Sequence, residues 1–137
     1  IISMKYIGLN GKEYKLNTSK YLRQPTNKSK LHLRVYEFLK LNYPLYTILQ
    51  EVPIKGCSKG TLYCDFMIPQ IKYVFEAGGK QHQVFTPHFH TKEEFLKAKQ
   101  RDVLKKQWCY LNGFDLIELN WDESEIDWKN KIIELGE

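Results

Sequence analysis

The sequence predicts an α/β (α+β) domain in the order helix, three strands, helix, strand, preceded by a β-hairpin. Three observations carry this. A helical apolar face at Leu31, Leu33, Val35, Tyr36, Phe38, Leu39 and Leu41 opens the main part of the chain. Three short runs rich in aliphatic and aromatic residues follow at 46–52, 61–68 and 72–77. A second helical pattern over about 92–111 then precedes one more apolar run at 114–119. With 137 residues, 42% hydrophobic and 27% charged, the chain has ordinary globular size and composition, which excludes disordered, collagen-like and coiled-coil classes. No apolar run is long enough to span a membrane.

Each element has a local cause. Short alternating runs at 4–7 and 13–16 flank Asn10-Gly11, the dipeptide of a tight hairpin turn. The polar stretch 17–28, with Pro25, reads as a linker, so residues 1–28 form an N-terminal hairpin and linker and 29–137 the main domain. Ser29 is a plausible N-cap for the first helix, and Asn42 and Pro44 end it. The segment 78–91, with Gly78-Gly79, Pro87 and three histidines, reads as a loop. Thr91 caps the long helix, which stops at Asn112-Gly113, and a short acidic helix over about 123–135 closes the chain.

Charge is unevenly distributed. Residues 1–114 carry 19 Lys/Arg against 8 Asp/Glu, a net +11, whereas residues 115–137 carry 2 against 8, a net −6. A basic body with an acidic tail points to a polyanionic partner. Cys57, Cys64 and Cys109 are odd in number and lack CxxC spacing, so a disulfide framework is not expected and a reducing, cytoplasmic compartment is. No charged segment followed by an apolar run opens the chain, so no secretion signal is expected; Ile1 in place of Met is compatible with a piece of a longer protein.

The middle hairpin carries the chemistry. A turn at 69–72 sets Phe66 opposite Phe75, Ile68 opposite Tyr73 and Cys64 opposite Ala77. One face, with Cys64, Phe66, Ile68, Tyr73, Phe75 and Ala77, is then apolar throughout; the other carries Tyr63, Asp65, Met67, Val74, Glu76 and Gly78. This register puts Asp65 directly opposite Glu76, with Cβ atoms about 5 Å apart. Like charges so placed either splay into water or share a divalent cation such as Mg²⁺. Glu51, near the end of the preceding strand, is the third candidate acid. His82 lies six residues after Glu76, past a Gly-Gly bend, and is of the right type to manage a proton. His82, His88 and His90 match no compact zinc motif. On the long helix, Lys97, Arg101 and Lys105 recur every four residues, a basic stripe able to follow a phosphate backbone, while Leu96, Val103, Leu104 and Leu111 are expected to pack.

Taken together, Asp65-Phe-Met-Ile-Pro, Phe75-Glu76-Ala-Gly-Gly-Lys-Gln81-His82 and Gln100-Arg101-Asp102 with Lys105 resemble the restriction-endonuclease-like PD-(D/E)XK superfamily. The match is to the branch of very-short-patch-repair-type nickases and phage homing endonucleases of the EDxHD type, over roughly 29–121. The resemblance implies a restriction-endonuclease-like αβββαβ core with a mixed central sheet flanked by helices. It implies Mg²⁺-dependent cleavage of DNA phosphodiesters, with Mn²⁺ expected to substitute. Glu51, Asp65, Glu76, His82 and Lys80 are then the catalytic candidates; Asp65, Glu76 and Ala77 the metal site; Lys97, Arg101, Lys105 and Gln81 the DNA contacts. The expected partner is double-stranded or branched DNA, not a membrane, with room for a homodimer or an additional DNA-recognition domain, in the cytoplasm of a bacterial or phage-infected cell. The chain departs from the pattern at Gly78, where family members carry an acid or a lysine; Lys80 is the nearest replacement. The alternative is a nuclease-fold DNA-binding module with impaired chemistry.

Overall fold

The computed structural model describes residues 3–22, 28–58, 60–79 and 91–136. Strands β1 (Ser3–Ile7) and β2 (Glu13–Asn17) pair antiparallel around a turn in which Gly11 takes φ 82°, the left-handed backbone that an Asn-Gly turn needs. The linker expected over 17–28 is partly structured. Asn17 ends β2, its side chain accepts a hydrogen bond from Ser19 N at 3.2 Å, and Thr18–Tyr21 form a 3₁₀ turn with Thr18 buried. Pro25 lies outside the described residues.

Helix α1 (Lys30–Asn42) starts where the sequence places it, with Ser29 Oγ accepting from His32 N at 3.1 Å. It buries Val35, Phe38 and Leu39, and also His32; Leu33 and Leu41 face solvent, so the apolar stripe is narrower than expected. Strands β3 (Leu49–Ile54), β4 (Leu62–Ile68) and β5 (Tyr73–Gly78) form an antiparallel meander. Strand β6 (Asp115–Asn120) joins β5 in parallel, giving one mixed four-stranded sheet in the order β3-β4-β5-β6. β3 begins later than the expected residue 46 because Tyr46 N turns back to Tyr43 O, and it runs on through Pro53, tolerable because β3 is an edge strand.

The β4–β5 register is the expected one: Phe66 faces Phe75, Met67 faces Val74 and Ile68 faces Tyr73, joined by a 3₁₀ turn at Pro69–Ile71. The assignment of faces needs correction. Phe66, Ile68, Tyr73, Phe75 and Ala77 pack with α1 and with Trp128 of α3 (Glu125–Leu135). The opposite face is covered too: Met67 and Val74 are fully buried with Leu49, Val52, Trp108 and Cys109. Cys64 belongs to this second core rather than with Phe66. The cause lies between them. Gln50–Phe66 and Val52–Cys64 pair in one continuous register, but Glu51 and Asp65 drop out of it, and Glu51 takes φ 51°. At that point both strands exchange the faces their side chains present.

Helix α2 (Lys92–Asn112) opens on a capping box, with Glu94 N donating to Thr91 Oγ1 at 3.1 Å, and ends at Gly113 with φ 75°. Of the residues expected to pack, Leu104 does, whereas Leu96, Val103 and Leu111 are half exposed. Trp108 fills their expected role. Its indole meets Tyr6 edge-on at 5.4 Å and stacks on Phe114 at 5.5 Å, joining the hairpin, α2 and the start of β6. Asn112 fastens the hairpin further, accepting from Ile7 N at 2.8 Å and donating to Ile7 O at 2.9 Å. The three cysteines are free thiols, and no helix among the described residues is long and apolar enough to cross a membrane.

Trp108→Ala is expected to destabilise the fold by about 3–5 kcal/mol, the usual cost of truncating a buried aromatic. Urea unfolding checks it; a loss within experimental error would mean that the hairpin does not share the main core.

Candidate functional site

β4 and β5 bring Asp65 and Glu76 side by side. Beyond the Phe66–Phe75 pair, side chains take over the bonding of the ladder: Asp65 N donates to Glu76 Oε2 at 2.7 Å, and Ala77 N donates to Asp65 Oδ2 at 2.9 Å. Each carboxylate thus satisfies an amide of the neighbouring strand. Lys105, from α2, reaches over the pair and sets its Nζ 2.5 Å from Glu76 Oε1. The Glu76 and Lys105 side chains are only 14% and 16% exposed.

Burial dominates the electrostatics. It raises the Asp65 carboxyl, opposed by the Ala77 amide bond and the Lys105 charge. It pushes Glu76 up to about 7, helped by the negative charge of Asp65 and opposed by Lys105. For Lys105, burial works against the ammonium, but the charge and hydrogen bond of Glu76 outweigh it and its pKa rises. Burial also raises the Cys64 thiol well above its ordinary value and Cys109 to about 12, so neither supplies a thiolate near neutral pH.

Asp65, Glu76 and Lys105 line a cleft of about 370 Å³, together with Lys28, His32, Glu51, Ala77, Lys99 and Arg101. Glu51 arrives through its left-handed backbone and is ion-paired to Lys28. His32 arrives from the first turn of α1, stacked on Phe66 at 4.4 Å between ring centres, with Nε2 3.1 Å from Gln50 Oε1. One donor atom each from His32, Glu51 and Asp65 lie within 4.8 Å of one another.

The fit to a divalent cation follows from which donors are engaged. Glu76 has both oxygens on protein hydrogens, and Ala77 O accepts from Gly79 N at 3.1 Å. Asp65 Oδ2 is taken by Ala77 N, leaving its second oxygen. The residues present suit a cation held from the second oxygen of Asp65 outward, towards Glu51 and His32.

Of the residues singled out by sequence, Glu51, Asp65, Glu76, Ala77, Arg101 and Lys105 line this one cleft. The basic stripe does not act as a unit. Lys105 is turned inward onto Glu76, Arg101 lines the cleft, and Lys97 is exposed outside its lining. Lys80, Gln81, His82, His88 and His90 lie outside the described residues. Sequence reasoning missed Lys28, His32 and Lys99. A signal for His32 was present: with Val35 and Leu39 it occupies one helical stripe, where a polar ring among core residues marks a buried polar contact.

No family model and no solved structure matches the chain. Two viral proteins are similar to part of it. Uncharacterized protein 307L of Invertebrate iridescent virus 6 is 38% identical over 77 residues, 54% of this chain and 39% of that protein. Uncharacterized protein 033L of Invertebrate iridescent virus 3 is 40% identical over 68 residues, 49% of this chain and 34% of that protein. The matched region thus spans under half the length of either relative.

A carboxyl whose folded pKa lies above its unfolded value favours folding most when protonated, so its contribution falls as pH rises through that interval. For Glu76 the interval runs from 4.5 to about 7. Metal-free unfolding free energy should therefore decline across this range, and Glu76→Gln should flatten the decline. Equal slopes for wild type and variant, measured by denaturant titration at several pH values, would mark Glu76 as an ordinary acid.

Proposed function

We propose that this protein is a divalent-metal-dependent DNA endonuclease built on a restriction-endonuclease-like core. The observation that carries the reading is the buried Asp65/Glu76 pair under Lys105, in a cleft with Lys28, Lys99 and Arg101 in its lining. Two acids and a lysine drawn out of water cost stability, and such arrangements concentrate where chemistry needs shifted pKa values. The order α1, β3, β4, β5, α2, β6 supports the core assignment.

In this reading a bound divalent cation supplies Lewis-acid polarisation of the phosphoryl oxygen and lowers the pKa of water. Asp65 and Glu51 hold the cation. Arg101, Lys99 and Lys28 draw the DNA phosphate into the cleft and orient it. Glu76, with a pKa of about 7, is suited to accept a proton from the attacking water and to return one to the leaving oxygen. Lys105 holds the Glu76 carboxylate in place and sets its proton affinity. By the resemblance, His82 is assigned to the same proton-handling task, Lys80 to the role of the acid or lysine missing at Gly78, and Gln81 to DNA contact. A second reading, a DNA-binding module with impaired chemistry, is favoured by one feature: Gly78, at the end of β5, offers no side chain where the family places an acid or lysine.

Cleavage of plasmid DNA is expected with Mg²⁺ or Mn²⁺ and none in EDTA. Asp65→Ala should lose activity by orders of magnitude while gel-shift affinity for DNA is kept or improved, because a negative charge near phosphate is removed. Normal cutting by the variant would place the chemistry elsewhere, and a wild-type protein that binds DNA but never cuts would favour the binding module.

Salt dependence separates the basic residues. Each phosphate contact contributes about 0.9 to the slope of log K against log salt. Lys99→Ala with Arg101→Ala should make the slope shallower by about 2, and adding Lys105→Ala should change it no further, because Lys105 is neutralised by Glu76. A third equal step would show that Lys105 leaves Glu76 to meet DNA.

A further inference from the structure

We propose that His32, Glu51 and Asp65 form a nitrogen-containing metal seat that prefers Mn²⁺ and later first-row divalent ions to Mg²⁺. The seat differs from the Asp65/Glu76/Ala77 set that the sequence resemblance implies, and it shares only Asp65 with it. Four observations carry it.

The donors converge: one atom from each residue lies within 4.8 Å of the others, a separation that a cation drawing each donor inward can close. They come from three separate elements, α1, β3 and β4, so no single helix face or loop accounts for their meeting. His32 is 4% exposed and its ring plane is fixed against Phe66 at 4.4 Å. Gln50 Oε1 lies 3.1 Å from His32 Nε2; with the ring hydrogen on that nitrogen the oxygen accepts it, and Nδ1 is the nitrogen left for a cation. Metal-binding imidazoles are commonly held this way, with the second nitrogen donating to a carbonyl or carboxylate.

The Gln50 amide carries a cost that points the same way. Gln50 is 1% exposed, and its Nε2 finds no hydrogen-bond partner among the described residues. A buried amide is left half satisfied while its oxygen stays on His32. Lys28 compensates the charge of Glu51 in the absence of metal.

The donor chemistry then selects the ion. Mg²⁺ favours all-oxygen octahedral surroundings and gives up water reluctantly, whereas imidazole suits first-row transition ions, with affinity rising from Mn²⁺ onward. Two carboxylates and a neutral imidazole balance a divalent charge.

Isothermal titration of the whole protein with Mn²⁺ and separately with Mg²⁺ tests the seat without any DNA. Wild type should bind Mn²⁺ the more tightly. His32→Ala should weaken Mn²⁺ by at least about 10–100-fold, the loss typical even for an outer-shell partner, and leave Mg²⁺ little changed. Gln50→Ala should cost Mn²⁺ affinity in about that same 10–100-fold range. Glu76→Gln should preserve the Mn²⁺ preference. Should His32→Ala not fold, wild type alone decides: substoichiometric Mn²⁺ must broaden the His32 ring resonances ahead of those of other histidines. An unchanged Mn²⁺/Mg²⁺ ratio in a folded His32→Ala, or ring resonances indifferent to Mn²⁺, overturns the proposal. The nuclease reading fails separately: a protein that binds Mn²⁺ through His32 but never cuts DNA keeps the seat and loses the endonuclease, and one that cuts in Mg²⁺ with His32 irrelevant does the reverse.

Discussion

Asp65 and Glu76 exchange hydrogen bonds across the β4–β5 boundary: each carboxylate accepts an amide hydrogen of the opposite strand. Two negative charges this close and this buried are held only because those amides, and the ammonium of Lys105, lie against them. The surrounding structure follows from that requirement. α2 must pass close enough to deliver Lys105, and Trp108, one turn further on, anchors it there against Tyr6 and Phe114. The β4–β5 turn must hold the register, because a slip of one residue would separate the acids. Removing one member leaves the others uncompensated, so the cluster is conditional as a whole.

Much of the architecture was legible in the chain. Helix starts at Ser29 and Thr91, the stop at Gly113 and the Asn10-Gly11 turn are local chemistry, readable without knowledge of the tertiary fold. The Asp65–Glu76 juxtaposition was legible because alternation and a single turn fix a hairpin register. The failures share a cause. Assigning Cys64 to the Phe66 face assumed unbroken alternation, and nothing in Glu-Val-Pro announces a left-handed glutamate. Whether Asp65 and Glu76 splay into water stayed open in the sequence because alternation does not say what covers a face; here Trp108 and Cys109 of α2 do. Lys105 looked like one third of a surface stripe because a helical repeat gives spacing and not direction. His32 could be placed on a face but not paired with Glu51, since their meeting depends on how α1 crosses the sheet.

The cleft is mixed in charge: Lys28, Lys99, Arg101 and Lys105 share its lining with Glu51, Asp65, Glu76, Asp102 and, from β6, Glu118. Lys28 is paired with Glu51 and Lys105 with Glu76, which leaves Lys99 and Arg101, among the described residues, as the lining cations without an ion pair to a lining acid. Arg34 ties α1 to the acidic segment after residue 114 through Glu125 at 2.5 Å and lies over the Trp128 ring at 4.2 Å. The acidic segment is thus fastened to α1 by local contacts, while two acids of the cleft, Glu51 and Glu76, are each matched by a lysine.

The left-handed backbone at Glu51 has an evolutionary consequence. A non-glycine residue at φ 51° is held at a cost of order 1 kcal/mol or more, and glycine or asparagine would relieve it. Random drift and deliberate stabilisation alike would find that replacement early, because it improves the fold while deleting a carboxylate from the cleft. Position 51 is therefore where folding stability and the acid content of the cleft pull apart in this chain. Among descendants that had lost the need for the site, it is the first acid that selection for folding alone would discard.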